Sequence, residues 1–295
     1  PTEVVEANNR VRELESEERR EMIRILTDFA KKVRPNVREI IDSYSLMAAI
    51  DFIRAKAELA RYFKAFEPEV KAEPHIDWIR AIHPLLQLSL ERKCKERLNT
   101  SLSIEEKVSS KDTDDSLSAQ EIELVSEDDN TSTSVPKSVV PLDIQLTKDK
   151  YLLIISGPNA GGKSVCLKTV GLLQYMLQCG LSIPVGDRST TGLFSDIMID
   201  IGDEQSIEND LSTYSSHLMN MKVMMRQASD STLILIDEFG TGTEPQIGGA
   251  IAESVLREFW KKHAWAVITT HYQNLKHFAE EHPGTVNGAM LYDRH

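Results

Sequence analysis

Four groups of residues have the types and spacing to handle a nucleoside triphosphate. The first is Gly157-Pro158-Asn159-Ala160-Gly161-Gly162-Lys163-Ser164, which fits G-x-x-x-x-G-K-[ST] and lies between an apolar run and a helical pattern. Glycines in such a loop let backbone N–H groups wrap phosphate oxygens, and the helix that follows turns its positive end toward them. Lys163 would neutralise the outer phosphates, Ser164 would ligate Mg²⁺, and Val165 would extend the contact into the first helical turn. The second group is "TLILIDEFGTGT", an apolar strand ending in Asp237 and Glu238. Asp237 suits a Mg²⁺ contact and Glu238 suits polarisation of an attacking water, although two acids at a strand end also make a plain helix cap. The third is "WAVITTHYQNL", whose strand ends at His271, where a γ-phosphate sensor would sit. The fourth is "DIGDEQSIENDLSTYSSHL", with Gln205 after a strand and Ser212 at the start of a helix whose N-terminus would face phosphate.

These residues need a scaffold that gathers strand ends, and the pattern after residue 140 supplies one. Apolar runs 151–155, 196–201, 233–237 and 265–270 alternate with helical stretches 163–179, 213–228 and 246–262. Alternating strands and helices predict an α/β domain with a mostly parallel sheet, whose ligands collect at the carboxyl ends of the strands. Upstream, residues 2–34 carry a narrow apolar stripe on a charged helix, and a second helical pattern follows Pro35 and ends before Pro68. Two such helices are either an ordinary hairpin or a lever or coiled-coil arm. The domain boundary is expected at 74/75, with 75–295 as the ATPase-like part.

Charge is unevenly distributed. The net charge is −12, but residues 99–136 hold ten Asp/Glu against two Lys, so −8 of it resides there. The total therefore does not exclude a basic face elsewhere. That segment is Ser/Thr-rich, acidic and without aromatics, which predicts a disordered insertion. The run "ERKCKER", 91–97, would touch nucleic-acid phosphates or lie in a solvated loop. Cys94, Cys166 and Cys179 have no metal-ligand spacing and are read as reduced thiols of a cytoplasmic protein. No run of apolar residues is long enough to cross a membrane. The chain begins at Pro1 without a leader and reads as part of a longer protein.

The segments "GPNAGGKS", "DIGDEQSIENDLSTYSSHL", "LILIDEFGTGTEP" and "TTHYQNLK" closely resemble the MutS family of DNA-repair ATPases, a branch of the P-loop NTPases of ABC-ATPase type. The wording "IGDEQSIENDLSTYSSH", with the charged amino-terminal helix, looks most like the bacterial recombination-suppressing subgroup. The resemblance covers residues 139–295 and more loosely 1–86. It implies an ATP- and Mg²⁺-dependent ATPase that works as a homodimer, with Ser212 reaching the γ-phosphate bound to the other subunit and Asn159 contacting phosphate. It also implies that helices 2–66 form lever and core elements leading to a DNA clamp, which favours the lever reading.

Two departures stand out. "PLD" with Leu142 replaces a "PND" common in relatives, and Val139 and Val140 occupy the place of an adenine-stacking aromatic. His83 in "HPLL" matches a family motif without an assigned role. The subgroup's dimerisation helices and nuclease-like domain would lie beyond His295, so the chain as given should bind ATP, hydrolyse it weakly, and dimerise weakly or remain a monomer. Two targets follow from the resemblance: branched or mismatched DNA in recombination control, and collided ribosomes split by ATP-driven closure. A transporter ATPase would carry Leu-Ser-Gly-Gly where this chain has "LSTYSSH", and a purely structural nucleotide module would have no use for Glu238.

Overall fold

The computed structural model describes residues 2–109, 138–157, 162–202 and 213–290. The chain divides into two compact units, up to Leu59 and from Ala60 onward. The first consists of α1 (Thr2–Val33), a 3₁₀ turn over Arg34–Asn36, and most of α2 (Val37–Phe63). Pro35 causes the break, because it lacks the N–H that would continue the ladder and its ring crowds the preceding turn. The apolar stripe is present, yet no residue of α1 is buried and side chains such as Ile25 and Phe29 stand in the open. Arg24 pairs with Glu21 and Asp28 along the helix face, an arrangement screened by water.

Two sheets organise the second unit. In the smaller, β1 (Glu69–Lys71) runs parallel to β5 (Thr190–Gly192), and β2 (Ile76–Ala81) pairs antiparallel with both β5 and β3 (Leu142–Leu146). The ladder between β2 and β3 shifts register between Trp78 and Ala81. There Arg80 adopts φ +53°, and its N–H donates to Asp143 Oδ1 at 2.6 Å. Asp143 of "PLD" thus holds a strained backbone in place.

The larger sheet is entirely parallel. It consists of β4 (Leu152–Ser156), β6 (Asp196–Asp200), β7 (Thr232–Ile236), β8 (Trp265–Thr269) and β9 (Thr285–Ala289), in spatial order β6-β7-β8-β4-β9. Its crossover helices are α4 (Lys163–Gln178), α5 (Thr213–Gln227), α6 (Pro245–Lys261) and α7 (Gln273–Glu281). Every residue of β7 and β8 is buried, as expected for central strands covered on both faces. Gly171 lets α4 approach β7 closely: a Cβ there would meet Leu235 Cδ1 at 2.8 Å. Met221 and Met224 lie in the same core, whereas Met219 is exposed.

Residues 99–109 and the "ERKCKER" run correct the sequence reading. They belong to α3, Pro84–Ser109, so the run is helical rather than a loop. Lys, Arg and Glu dominate it, all good helix formers that outweigh its polarity. The acidic remainder, 110–137, lies outside the described residues. His83 finds a local role at the start of α3, where its Nδ1 accepts the Leu86 N–H at 3.3 Å ahead of Pro84. Among the described residues no helix is long and apolar enough to cross a membrane, and the three cysteines are free thiols.

Candidate nucleotide site

Strand order explains why residues more than a hundred positions apart meet. Strands β7, β8 and β4 are immediate neighbours and parallel, so their carboxyl ends open on one edge of the sheet. Asp237 follows β7, His271 lies just past β8, and Gly157 follows β4.

Gly162 caps α4 with φ +82°, a left-handed conformation open to glycine at little cost, and Gly157 has φ +136°. Lys163 is only 2% exposed. Its ammonium donates to the Gly157 carbonyl and lies 3.4 Å from His271 Nε2. Burial pushes its pKa below the ordinary 10.5, while the charges of Glu238 and then Asp237 act to raise it. Lys163, Asp237, Glu238 and His271 therefore share one electrostatic neighbourhood. Ser164 is half-buried in the first turn of α4, and Val165 beside it is exposed. Pro158, Asn159, Ala160, Gly161, Gln205 and Ser212 lie outside the described residues.

The two acids stand in a network built from the end of β8. Thr269 Oγ1 donates to Asp237 Oδ1 at 2.5 Å and accepts the Glu238 N–H at 2.8 Å. The Thr269 carbonyl accepts the Phe239 N–H at 2.8 Å. Glu238 is held at φ +49°, which is uncommon for a residue with a side chain and typical of functional sites. One position further along the loop, Tyr272 Oη donates to the Gly240 carbonyl at 2.9 Å. Gly240 has φ +88°, and a Cβ there would lie 2.8 Å from the Tyr272 ring, so glycine is required twice over.

Three features escape motif reading. Thr269 hides in a strand that reads as apolar, and a polar residue closing an otherwise apolar strand is its only signal. Asp200 ends β6 as Asp237 follows β7; it is buried and receives His217 and Asn220 from α5. Met290 lies against the loop, with its Cε 3.8 Å from where a Gly162 Cβ would be. A separate cleft of about 840 Å³, between α3 and the turn at Pro184–Asp187, shares none of the strand-end residues.

Comparison with known proteins fits this arrangement. Residues 153–294 match the family described as MutS domain V. The chain is 36% identical over 293 residues to "Endonuclease MutS2" of Latilactobacillus sakei subsp. sakei (strain 23K), covering 99% of this chain and 31% of the relative. Residues 153–294 are a MutS domain V. Proteins of the same printed name from Enterococcus faecalis (strain ATCC 700802 / V583) and Geobacillus sp. (strain WCH70) are 35% and 36% identical over the same coverage. The likeness is to MutS2-type members, and the chain spans about a third of the length of the curated relatives it matches. The α/β unit is thus the P-loop ATPase fold of MutS domain V, with long helices before it.

Proposed function

We propose that this chain binds and hydrolyses ATP, and that in the protein to which it belongs ATP binding drives closure of a homodimeric clamp on branched or mismatched DNA in the cytoplasm, restraining homologous recombination. The observation that carries the ATPase reading is the convergence of Lys163, Asp237, Glu238 and His271 at three adjacent strand ends. The DNA reading rests on the MutS domain V and the likeness to MutS2-type proteins.

The residues present fit the ligands. Left-handed Gly157 and Gly162 open the loop backbone toward an anion, and Lys163 supplies a desolvated cation at its centre. The hydroxyl of Ser164 and the carboxylate of Asp237 are hard oxygen donors of the kind that holds Mg²⁺. Bound Mg²⁺ supplies neutralisation of phosphate charge. Lys163 shares that task from the loop side. Glu238 accepts a proton from the attacking water as its oxygen bonds to the γ-phosphorus and the bond to the bridging oxygen breaks, leaving ADP and phosphate. His271 reads the γ-phosphate beside Lys163. The backbone of Pro158, Asn159, Ala160 and Gly161 completes the cradle, with Val165 at its rim. Gln205 links the site to neighbouring elements, and Ser212 reaches across to the nucleotide of the second subunit. Helices α1 and α2 transmit closure as levers, with the boundary placed near 74/75.

Glu238→Gln tests the reading. It keeps the shape of the side chain and removes its basicity, so ATP binding should persist while turnover falls by about a hundredfold or more. Turnover equal to wild type would remove Glu238 from the chemistry. The same variant in the intact protein, locked with ATP and recovered with its nucleic acid, tests the target. Branched DNA supports the proposal, and ribosomal RNA with both ribosomal subunits would replace it with ribosome splitting.

A further inference from the structure

We infer that Thr269 is the positioning residue for both acids of the site, fixing Asp237 through its side chain and Glu238 through its backbone. The inference rests on the ATPase reading and gives a cause for the arrangement of its carboxylates.

Thr269 closes β8 and is fully buried. A hydroxyl has one proton and two lone pairs, and here both partners fix its polarity. The Asp237 carboxylate can only accept, so Oγ1 donates to Oδ1 at 2.5 Å; the Glu238 amide can only donate, so Oγ1 accepts it at 2.8 Å. One atom therefore couples the rotation of the Asp237 carboxylate to the conformation of the next residue's backbone. That conformation, φ +49°, is strained for a residue with a Cβ and persists only where surroundings hold it. Thr269 accepts both the Glu238 and the Phe239 amides, and the Thr241 N–H donates to the Glu238 carbonyl at 3.0 Å to close the turn.

Packing does not account for the residue. The other four positions of β8 are Trp265, Ala266, Val267 and Ile268, all buried and apolar. Valine has nearly the shape of threonine and a high strand propensity, so a site needing only volume would be served by it. The hydroxyl is the distinguishing group, and each of its bonds leads to one of the two acids. The phosphate loop follows a different strand, so the effect separates from nucleotide capture.

The test compares Thr269→Val and Thr269→Ser with wild type in this chain. Three quantities are read: binding of a fluorescent ATP analogue with and without Mg²⁺, ATP turnover, and hydrogen exchange at the Glu238 amide. In Thr269→Val, metal-free binding should stay unchanged. The Mg²⁺-dependent gain in affinity and kcat should each fall by about ten- to a hundredfold, as when a group orienting a metal ligand is lost. The Glu238 amide should lose protection. Thr269→Ser, which keeps the hydroxyl and drops the methyl, should restore all three. A Thr269→Val protein with a wild-type Mg²⁺ gain and a protected Glu238 amide would overturn the proposal. Should Thr269→Val fail to fold, the serine variant decides alone, since a weakened Mg²⁺ gain in it contradicts the assignment. Wild-type intact protein that binds nucleotide without turning it over would sink the ATPase reading, while the metal and exchange readouts still judge Thr269.

Discussion

His217 Nδ1 lies 2.8 Å from Asp200 Oδ2, and the other oxygen of that carboxylate accepts Asn220 Nδ2 at 3.0 Å. Both donors project from α5, while the Asp200 backbone carbonyl accepts the Asp237 N–H at 2.9 Å. The start of the serine-rich helix and the acidic end of β7 are thus fastened to one buried residue. Asp200 is only 5% exposed, so its charge relies on protein donors rather than water.

Removing one of those donors should be costly. We predict that His217→Ala lowers unfolding free energy by about 1–3 kcal/mol, the penalty for under-satisfying a buried charged group. Urea denaturation of the two proteins measures it. A change below about 0.5 kcal/mol, typical of surface substitutions, would mean that the pair contributes nothing beyond geometry.

Lys163 gives a pH-dependent prediction. Burial depresses its folded-state pKa below 10.5, so between that lowered value and 10.5 the unfolded chain holds the proton more tightly. More protons on the unfolded state make stability rise with pH through that window. The Lys163 contribution is therefore unfavourable below the folded pKa and disappears as pH approaches 10.5. Lys163→Met should be at least as stable as wild type at neutral pH, with the gap narrowing on the alkaline side, while ATP binding weakens about ten- to a hundredfold from loss of charge-assisted bonds. Thermal melts at several pH values together with nucleotide titration check both halves. A methionine variant that binds ATP normally would contradict the role of the ammonium.

The thiols divide two to one. Cys94 and Cys179 are exposed, whereas Cys166 is buried in α4 and burial pushes its thiol up to about 12. At pH 8 only about one Cys166 in ten thousand would be thiolate, and that form is the reactive one. A disulfide reagent should label two cysteines quickly in the native protein and the third only on unfolding. Fast labelling of all three would show that α4 opens readily.

Much of the site was legible because its chemistry demands unusual residues. Glycines flanking Lys163 and Ser164, acids after the apolar run 232–236, and His271 after 265–269 each interrupt a strong pattern. Three of the four crossover helices and four of the five parallel strands were visible for the same reason, since long periodic segments override weak local signals. Strands β1 and β5 of the smaller sheet were not legible, because they have three residues each and owe their conformation to partners far along the chain. Strand β9, "TVNGA", lacks the apolar run of its neighbours and is fixed by pairing along β4. Thr269, Asp200 and Tyr272 escaped because each acts through another residue's backbone or side chain, a relation that spacing does not encode.

The position of β4 within its sheet also dictates when the molecule can mature. Its two partners are β8 and β9, whose registers join Leu152 to Ala266 and to Thr285. Both contacts span more than a hundred residues, the kind of pairing that folds late because a long loop must close before it is rewarded. On a translating ribosome the phosphate loop emerges well before either strand that will brace it. A nascent chain stopped short of residue 265 has the residues of the loop but no flanking strands for β4, so competence to hold nucleotide arrives only near the end of synthesis of this segment.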